Sequence, residues 1–129
     1  MANSKKVLIL DPSPFFRSTI RKVLQTIETQ LYVSEAKNTT EAEHILNIEQ
    51  PDVMFMDIAL PNNDGVPFLE TVKSRYPDVC LIVLTSHDSI EYQKASLLRG
   101  ANYFLSKERS SRLHLREIIN STILKENAN

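Results

Sequence analysis

Several apolar runs in the chain end on residues that could take part in chemistry. VLIL is followed by Asp11, VMFM by Asp57, LIVL by Thr85, and YFLS by Lys107. If these runs are parallel strands of an open α/β sheet, their carboxyl ends form one rim, which is where such sheets bind ligands. Two carboxylates, a hydroxyl and an ammonium would then share one small site.

This grouping suits phosphoryl transfer to a carboxylate. An oxygen of Asp57 could attack phosphorus, while the ammonium of Lys107 and the hydroxyl of Thr85 hold the charge on the phosphoryl oxygens. Mg2+ prefers one or two carboxylates together with phosphate oxygens and water, so Asp11 and Asp57 are candidate metal ligands. Taken alone, each residue also has a plain structural explanation, since Asp11 could simply open a turn before the prolines that follow it.

Short apolar runs alternate with longer segments of helical periodicity. Phe16, Ile20 and Val23 recur at spacings of four and three, which marks one face of a helix. Four apolar runs are nearly continuous, as in strands covered on both faces, whereas the more polar run at 31–36 is predicted to lie at a sheet edge. The strand candidates are Val7–Leu10, Leu31–Ala36, Val53–Met56, Leu81–Leu84 and Asn102–Leu105. Five strand–helix pairs indicate a doubly wound α/β sheet with five helices.

Turn and cap residues predict where the helices begin and end. Ser13 is a candidate N-cap for the first helix, and Thr39 or Thr40 for the second. Pro67 suits the first position of the third helix because its fixed φ is already helical. Gly100 is predicted to end the fourth helix in the C′ position.

Length and composition exclude several classes of protein. With 129 residues and a mass of 14.7 kDa, the chain suits one domain. A formal net charge of −1 argues against direct nucleic-acid binding. The single cysteine excludes an intrachain disulfide, the histidines lack zinc-ligand spacing, and two glycines are too few for a phosphate-binding loop. Because no segment resembles a signal peptide or a membrane span, we expect a cytoplasmic location and no membrane partner.

The motifs together resemble the receiver (CheY-like) domain of two-component response regulators. The resemblance rests on PDVMFMDIALPNNDG at 51–65, LIVLTSHD at 81–88 and RGANYFLSK at 99–107. It implies a flavodoxin-like sheet of order 2-1-3-4-5 in a single domain, with its core at about 6–125 and no output domain in the chain. It also implies that Asp57 accepts a phosphoryl group from a sensor histidine kinase or a histidine phosphotransfer protein, and that a downstream effector protein responds.

Further roles follow from the same resemblance. Thr85 matches the switch hydroxyl, Phe104 the switch aromatic, and Lys107 the lysine that pairs with the phosphoryl group. Ala59 matches the residue whose backbone carbonyl helps to hold Mg2+. Gly65 is expected to take a backbone conformation that other residues resist. The domain would not be an enzyme beyond assisting its own phosphorylation and dephosphorylation.

The first strand departs from the family pattern. Receivers of this kind usually end it with two adjacent acids, whereas here Asp11 is followed by Pro12. Loss of one carboxylate is expected to weaken Mg2+ binding by about 1–3 kcal/mol, or ten- to a few-hundred-fold. Either Asp57 is still phosphorylated with looser metal dependence, or the chain is a pseudo-receiver that binds partners independently of phosphate. Retention of Asp57, Thr85 and Lys107 favours the first hypothesis.

The face formed by the fourth helix, fifth strand and fifth helix is the candidate partner surface. In the family this face commonly binds partners or a second copy in a homodimer. The alternative is an ordinary solvated face with scattered apolar residues. A flavin-binding domain or plain scaffold of the same fold is a different class, and DPSPFF lacks the glycine that flavin phosphate binding would need. The candidate surface residues are Ile90, Tyr92, Tyr103, Arg109 and Arg112.

Overall fold

A five-stranded parallel sheet lies at the centre of the structure, with helices on both faces. The computed structural model describes residues 4–127, and their side chains through residue 123. The strand order is 2-1-3-4-5, as predicted. The strands are β1 (Lys5–Leu10), β2 (Leu31–Ala36), β3 (Val53–Met56), β4 (Cys80–Thr85) and β5 (Tyr103–Ser106). The helices are α1 (Pro14–Leu24), α2 (Thr39–Ile48), α3 (Gly65–Arg75), α4 (Ile90–Leu98) and α5 (Arg112–Asn127).

The hydrophobic core consists of two layers, one on each face of the sheet. Because successive strand residues point to opposite faces, Leu8 and Leu10 of β1 face α2 and α3, whereas Val7 and Ile9 face α1 and α5. The central strands β1, β3 and β4 are buried on both sides, which explains their nearly continuous apolar sequences. β2 lies at one edge and is partly exposed, as its polar residues predicted.

Strand register places the carboxyl ends of the central strands side by side. Leu10 of β1 pairs with Met56 of β3, and Met56 pairs with Val83 of β4. The amide of Asp57 donates to the carbonyl of Leu10 at 2.9 Å, and the amide of Lys107 donates to the carbonyl of β4's last residue at 2.9 Å. The backbone ladder therefore extends just past the strands and holds the rim residues in place.

Two of the predicted helix ends are confirmed. Ser13 caps α1, because its Oγ accepts from the amide of Phe16 at 3.3 Å while Pro14 occupies the first turn. Gly100 follows the C-cap of α4 with a φ of +113°, and its amide donates to the carbonyl of Leu97.

Two other predicted helix ends are wrong. Asn38, rather than Thr39 or Thr40, caps α2, since its side chain accepts from the amide of Glu41 at 2.8 Å. Asparagine is at least as good an N-cap as threonine, so the sequence offered adjacent candidates. Pro67 is the third residue of α3 rather than the first, a position where its missing N–H still costs no helical hydrogen bond.

Gly65 is required for a different reason from the one predicted. It begins α3 in the helical region, and a Cβ built on it would overlap the backbone carbonyl of Ile58. Positive φ occurs instead at Asn62 and Asn63, in the 3-10 turn that precedes the helix. Close approach of two backbone segments therefore explains this glycine.

In residues 4–127 no helix has the length and apolarity needed to cross a membrane.

Candidate functional site

Asp57 forms the centre of a buried polar cluster at the rim of the sheet. It directly follows β3, and only 5% of the residue is exposed. Its Oδ1 accepts from the hydroxyl of Thr85 at 2.7 Å and from the amide of Ala59 at 2.8 Å. Its Oδ2 accepts from the ammonium of Lys107 at 2.9 Å. Both oxygens thus have strong donors, which compensates the loss of solvation on burial.

Lys107 bridges two carboxylates. Its Nζ lies 2.9 Å from Oδ2 of Asp57 and 2.9 Å from Oδ2 of Asp11, and its side chain is 5% exposed. The same Nζ lies 3.9 Å from the centre of the Phe16 ring. The ammonium is therefore enclosed by two negative oxygens and an aromatic face, each of which attracts a cation.

Asp11 is as buried as the other acid, at 2% exposure. Burial raises the pKa of its carboxyl above the ordinary value, and nearby Asp57 adds to the rise. The amide of Ser13 and the ammonium of Lys107 oppose the rise by donating to the charged form. The guanidinium of Arg17 donates to the backbone carbonyl of Asp11 at 2.6 Å, which ties helix α1 to the end of β1.

The structure brings together four of the predicted site residues: Asp11, Asp57, Thr85 and Lys107. Ala59 adjoins them, although the contact seen is its amide donating to Asp57. The proposed switch aromatic at position 104 lies outside this cluster, partly buried on β5 against the core layer of α2 and α3.

The candidate partner surface is accessible, and none of the contacts described for its residues joins it to the carboxylate cluster. The aromatic and aliphatic members, at positions 90, 92 and 103, are 64%, 37% and 37% exposed. The arginine at position 109 lies 3.9 Å from the carboxylate of Asp88, and the one at 112 begins α5. Exposure alone leaves their role a prediction.

Two features of the site were not predicted from the sequence. Phe16 was assigned to the apolar stripe of α1, but its ring lies under Lys107 instead of within either core layer. In addition, the hydroxyl of Ser106 donates to Asp88 at 2.7 Å, which joins the loop after β4 to the end of β5. No sequence spacing signals either contact, because each joins segments far apart in the chain.

The ammonium of Lys107 lies where a magnesium ion would bind these oxygen ligands. Mg2+ needs near-octahedral oxygen ligands, and two carboxylates with a carbonyl are suitable types. Here, however, Lys107 already occupies the point that the Oδ2 atoms of Asp11 and Asp57 both face. Pro12, exposed beside them, supplies no oxygen from its side chain. Within the described part of the chain, no group of three or more His, Cys, Asp or Glu could hold a metal.

Comparisons with known proteins agree with this architecture. The chain is 31% identical over 104 residues to the chemotaxis protein CheY of Halobacterium salinarum, covering 81% of this chain and 85% of that protein. It is 31% identical over 106 residues to the transcriptional regulatory protein DegU of Brevibacillus brevis, covering 82% of this chain. It spans 45% of DegU, less than half of that relative's length.

A solved structure and a family model give the same result. The isolated REC domain of RcsB from Salmonella enterica, determined with the phosphomimetic BeF3−, superposes with a TM-score of 0.82 at 25% identity, covering 91% of this chain and 86% of that one. The sequence model of the response regulator receiver domain matches residues 7–120. The parallel strand order 2-1-3-4-5 with five helices is what this protein shares with the solved receiver domains. The chain therefore belongs to the response regulator receiver domain family.

Proposed function

We propose that the protein is a receiver that accepts a phosphoryl group on Asp57 and relays the signal to an effector. The observation that carries this proposal is the buried carboxylate of Asp57, bonded at once to a hydroxyl at 2.7 Å and an ammonium at 2.9 Å. A phosphoryl group on this carboxylate would need both a cation and a hydrogen-bond donor, and Lys107 and Thr85 are placed to supply them.

The transfer involves one bond made and one bond broken. An oxygen of Asp57 attacks phosphorus, the bond from phosphorus to the donor's nitrogen or oxygen breaks, and the electron pair leaves with the donor. The aspartyl phosphate carries about one more negative charge than the carboxylate did. Lys107 is placed to pair with that charge, and Thr85 to donate to a phosphoryl oxygen.

A conformational relay would begin at Thr85. Its Oγ1 donates to Asp57 and accepts from the amide of His87 at 3.1 Å, so it joins the acid to the loop that leads into α4. If the hydroxyl follows the phosphoryl group, this loop must shift with it. Phe104, paired with Val83 on the neighbouring strand, would change its packing in concert.

Receiver domains typically bind Mg2+ at their acidic pocket, where it neutralises phosphoryl charge. In this chain we propose that Asp11, Asp57 and the carbonyl of Ala59 bind it weakly. Pro12 removes one carboxylate, and Lys107 competes for the two that remain. Phosphorylation should therefore be only loosely dependent on the metal.

A phosphorylation-independent pseudo-receiver is the second candidate function. It is favoured by the same two ion pairs, because Lys107 leaves neither Asp11 nor Asp57 without a counterion in the unmodified state. A pocket satisfied in this way could serve stability alone. Under this hypothesis a partner would bind equally well whether or not a phosphodonor is present.

Intact-mass measurement after incubation with a small phosphodonor tests the proposal. With the donor present, the protein should gain the mass of one phosphoryl group, both in Mg2+ and, more slowly, in a chelator. Asp57→Asn should show no gain, and Asp78→Asn, a change at an exposed acid remote from the pocket, should behave as wild type. Absence of any gain in the wild-type protein would reject the proposal and leave the pseudo-receiver.

The partners we propose are a sensor histidine kinase or histidine phosphotransfer protein upstream and an effector protein downstream, all in the cytoplasm. The face of α4, β5 and α5 is the proposed effector or homodimer surface. Tyr103→Ala should weaken effector binding, whereas Tyr32→Ala, a change at the 63% exposed tyrosine on β2, should not. Equal binding by both variants would remove this face from the proposal.

A further inference from the structure

We propose that Phe16 is a positioning residue that holds the ammonium of Lys107 between the two carboxylates. Held in this way, Lys107 serves as the resident cation of the pocket and competes with a divalent metal. The effect on phosphorylation rests on the proposed function, whereas the competition with metal is a property of the unmodified protein.

The contacts of Lys107 account for all of its hydrogen-bond donors. An ammonium has three N–H groups and no acceptor. Two of them can reach the Oδ2 atoms of Asp11 and Asp57, each at 2.9 Å, and the third can face the Phe16 ring at 3.9 Å. Since the side chain is 5% exposed, the aromatic face replaces the water that would otherwise solvate the third N–H.

The start of α1 fixes the ring in this place. The amide of Phe16 donates to the Ser13 cap at 3.3 Å, so the backbone at position 16 is set by the cap. The ring also meets the Phe15 ring edge-on, with centroids 5.4 Å apart and planes at 88°. The segment at 11–16 therefore has Pro12 where a second acid would stand, and it places the Phe16 ring against the pocket.

The net charge of the pocket shows why the position of Lys107 matters for metal binding. Asp11, Asp57 and Lys107 sum to −1, and a further acid in place of Pro12 would make −2. A metal entering this pocket must displace the ammonium from at least one carboxylate. Moving the ammonium also breaks its contact with the Phe16 ring. The lost contact lowers the apparent affinity of the pocket for the metal.

The experiment compares Phe16→Leu, which keeps apolar volume but removes the ring, with Phe16→Tyr, which keeps the ring face. Tyr32→Leu is the matched control, because the Tyr32 ring on β2 is 63% exposed and has no contact with Phe16 or Lys107 among those described. Mg2+ is titrated into each unphosphorylated protein while the amide signals of residues 57–59 are followed by NMR. Phe16→Leu should bind Mg2+ about 2- to 30-fold more tightly than wild type. Phe16→Tyr and Tyr32→Leu should match wild type.

A second measurement uses the wild-type protein alone. Protons on Nζ and Cε of Lys107 should resonate upfield of their usual positions, since they lie over the face of a ring. With a phosphodonor, the ratio of rates in Mg2+ and in chelator should rise from wild type to Phe16→Leu.

The outcomes separate the two proposals. Equal Mg2+ affinity for Phe16→Leu and wild type, or an equal shift for Phe16→Tyr, would overturn the role of the ring. Ordinary chemical shifts for Lys107 would overturn it too, even if Phe16→Leu failed to fold. Tighter Mg2+ binding by Phe16→Leu, without a phosphoryl gain in any variant, would support the positioning role of Phe16 and reject the phosphorylation function.

Discussion

Replacing Lys107 with methionine should leave two buried carboxylates without their shared counterion. Asp11 and Asp57 are 2% and 5% exposed, and both accept from the same ammonium at 2.9 Å. Breaking a buried ion pair by removing one partner typically costs about 3–5 kcal/mol. Because one removal here deprives two acids, we expect Lys107→Met to lower the free energy of unfolding by an amount near the top of that range. Lys94→Met, at an exposed lysine of α4, should change it by less than about 0.5 kcal/mol.

The pH dependence of this loss has a definite sign. In the wild-type fold the pKa of Asp11 is raised, first by burial, so the folded state binds more protons than the unfolded state between the two pKa values. Stability therefore falls as pH rises through that window. Lys107 lowers the pKa of Asp11 in the folded state, so its removal should extend the upper end of this window to higher pH. The deficit of Lys107→Met should thus be larger at pH 8 than at pH 5.5.

Urea unfolding followed by circular dichroism measures both quantities, and Asp11→Asn supplies the decisive comparison. In the wild-type background Asp11→Asn removes an ion pair and should destabilise the protein. In the Lys107→Met background it removes an uncompensated buried charge and should stabilise it. If Asp11→Asn destabilises both backgrounds equally, or the deficit is independent of pH, the reasoning about a shared counterion is wrong.

Three further predictions concern positions around the pocket. Pro12→Asp should tighten Mg2+ binding ten- to a few-hundred-fold by calorimetric titration, and an unchanged affinity would contradict the charge argument. Gly65→Ala should lower the free energy of unfolding by about 1–3 kcal/mol, seen as a lower urea midpoint, because its methyl group would overlap the carbonyl of Ile58. An unchanged midpoint would show that the two segments separate easily. Ser13→Ala should cost about 0.5–2 kcal/mol through loss of the α1 cap, whereas Ser18→Ala, at an exposed position inside the helix, should be neutral or slightly stabilising in the same assay.

Local physical chemistry explains why so much of the fold was predictable. A strand buried on both faces must be almost wholly apolar, so β1, β3 and β4 are visible as uninterrupted runs, and each predicted strand lies within two residues of the observed one. The polar residue that follows each run is equally visible. Since parallel strands in register end at one rim, their convergence could be inferred before any coordinates.

Cap and glycine roles were harder to predict, because they depend on small differences between neighbours. Asn38 and the two threonines after it are similar N-caps by residue type, and only the path of the chain selects Asn38. Gly65 looked like a residue with unusual backbone angles. Its actual constraint is the backbone of Ile58, seven positions earlier, which no local pattern records.

The amino-acid sequence by itself determined the sheet, its strand order through family resemblance, and the identity of the acids, hydroxyl and ammonium at the rim. Only the tertiary structure decided how these groups pair. Periodicity placed Phe16 on one side of α1 but did not say which element faces that side, and there it meets Lys107, ninety-one positions later in the chain. Such contacts depend on how whole elements pack against each other, and packing distances between remote segments are not encoded in the spacing of residues along either one.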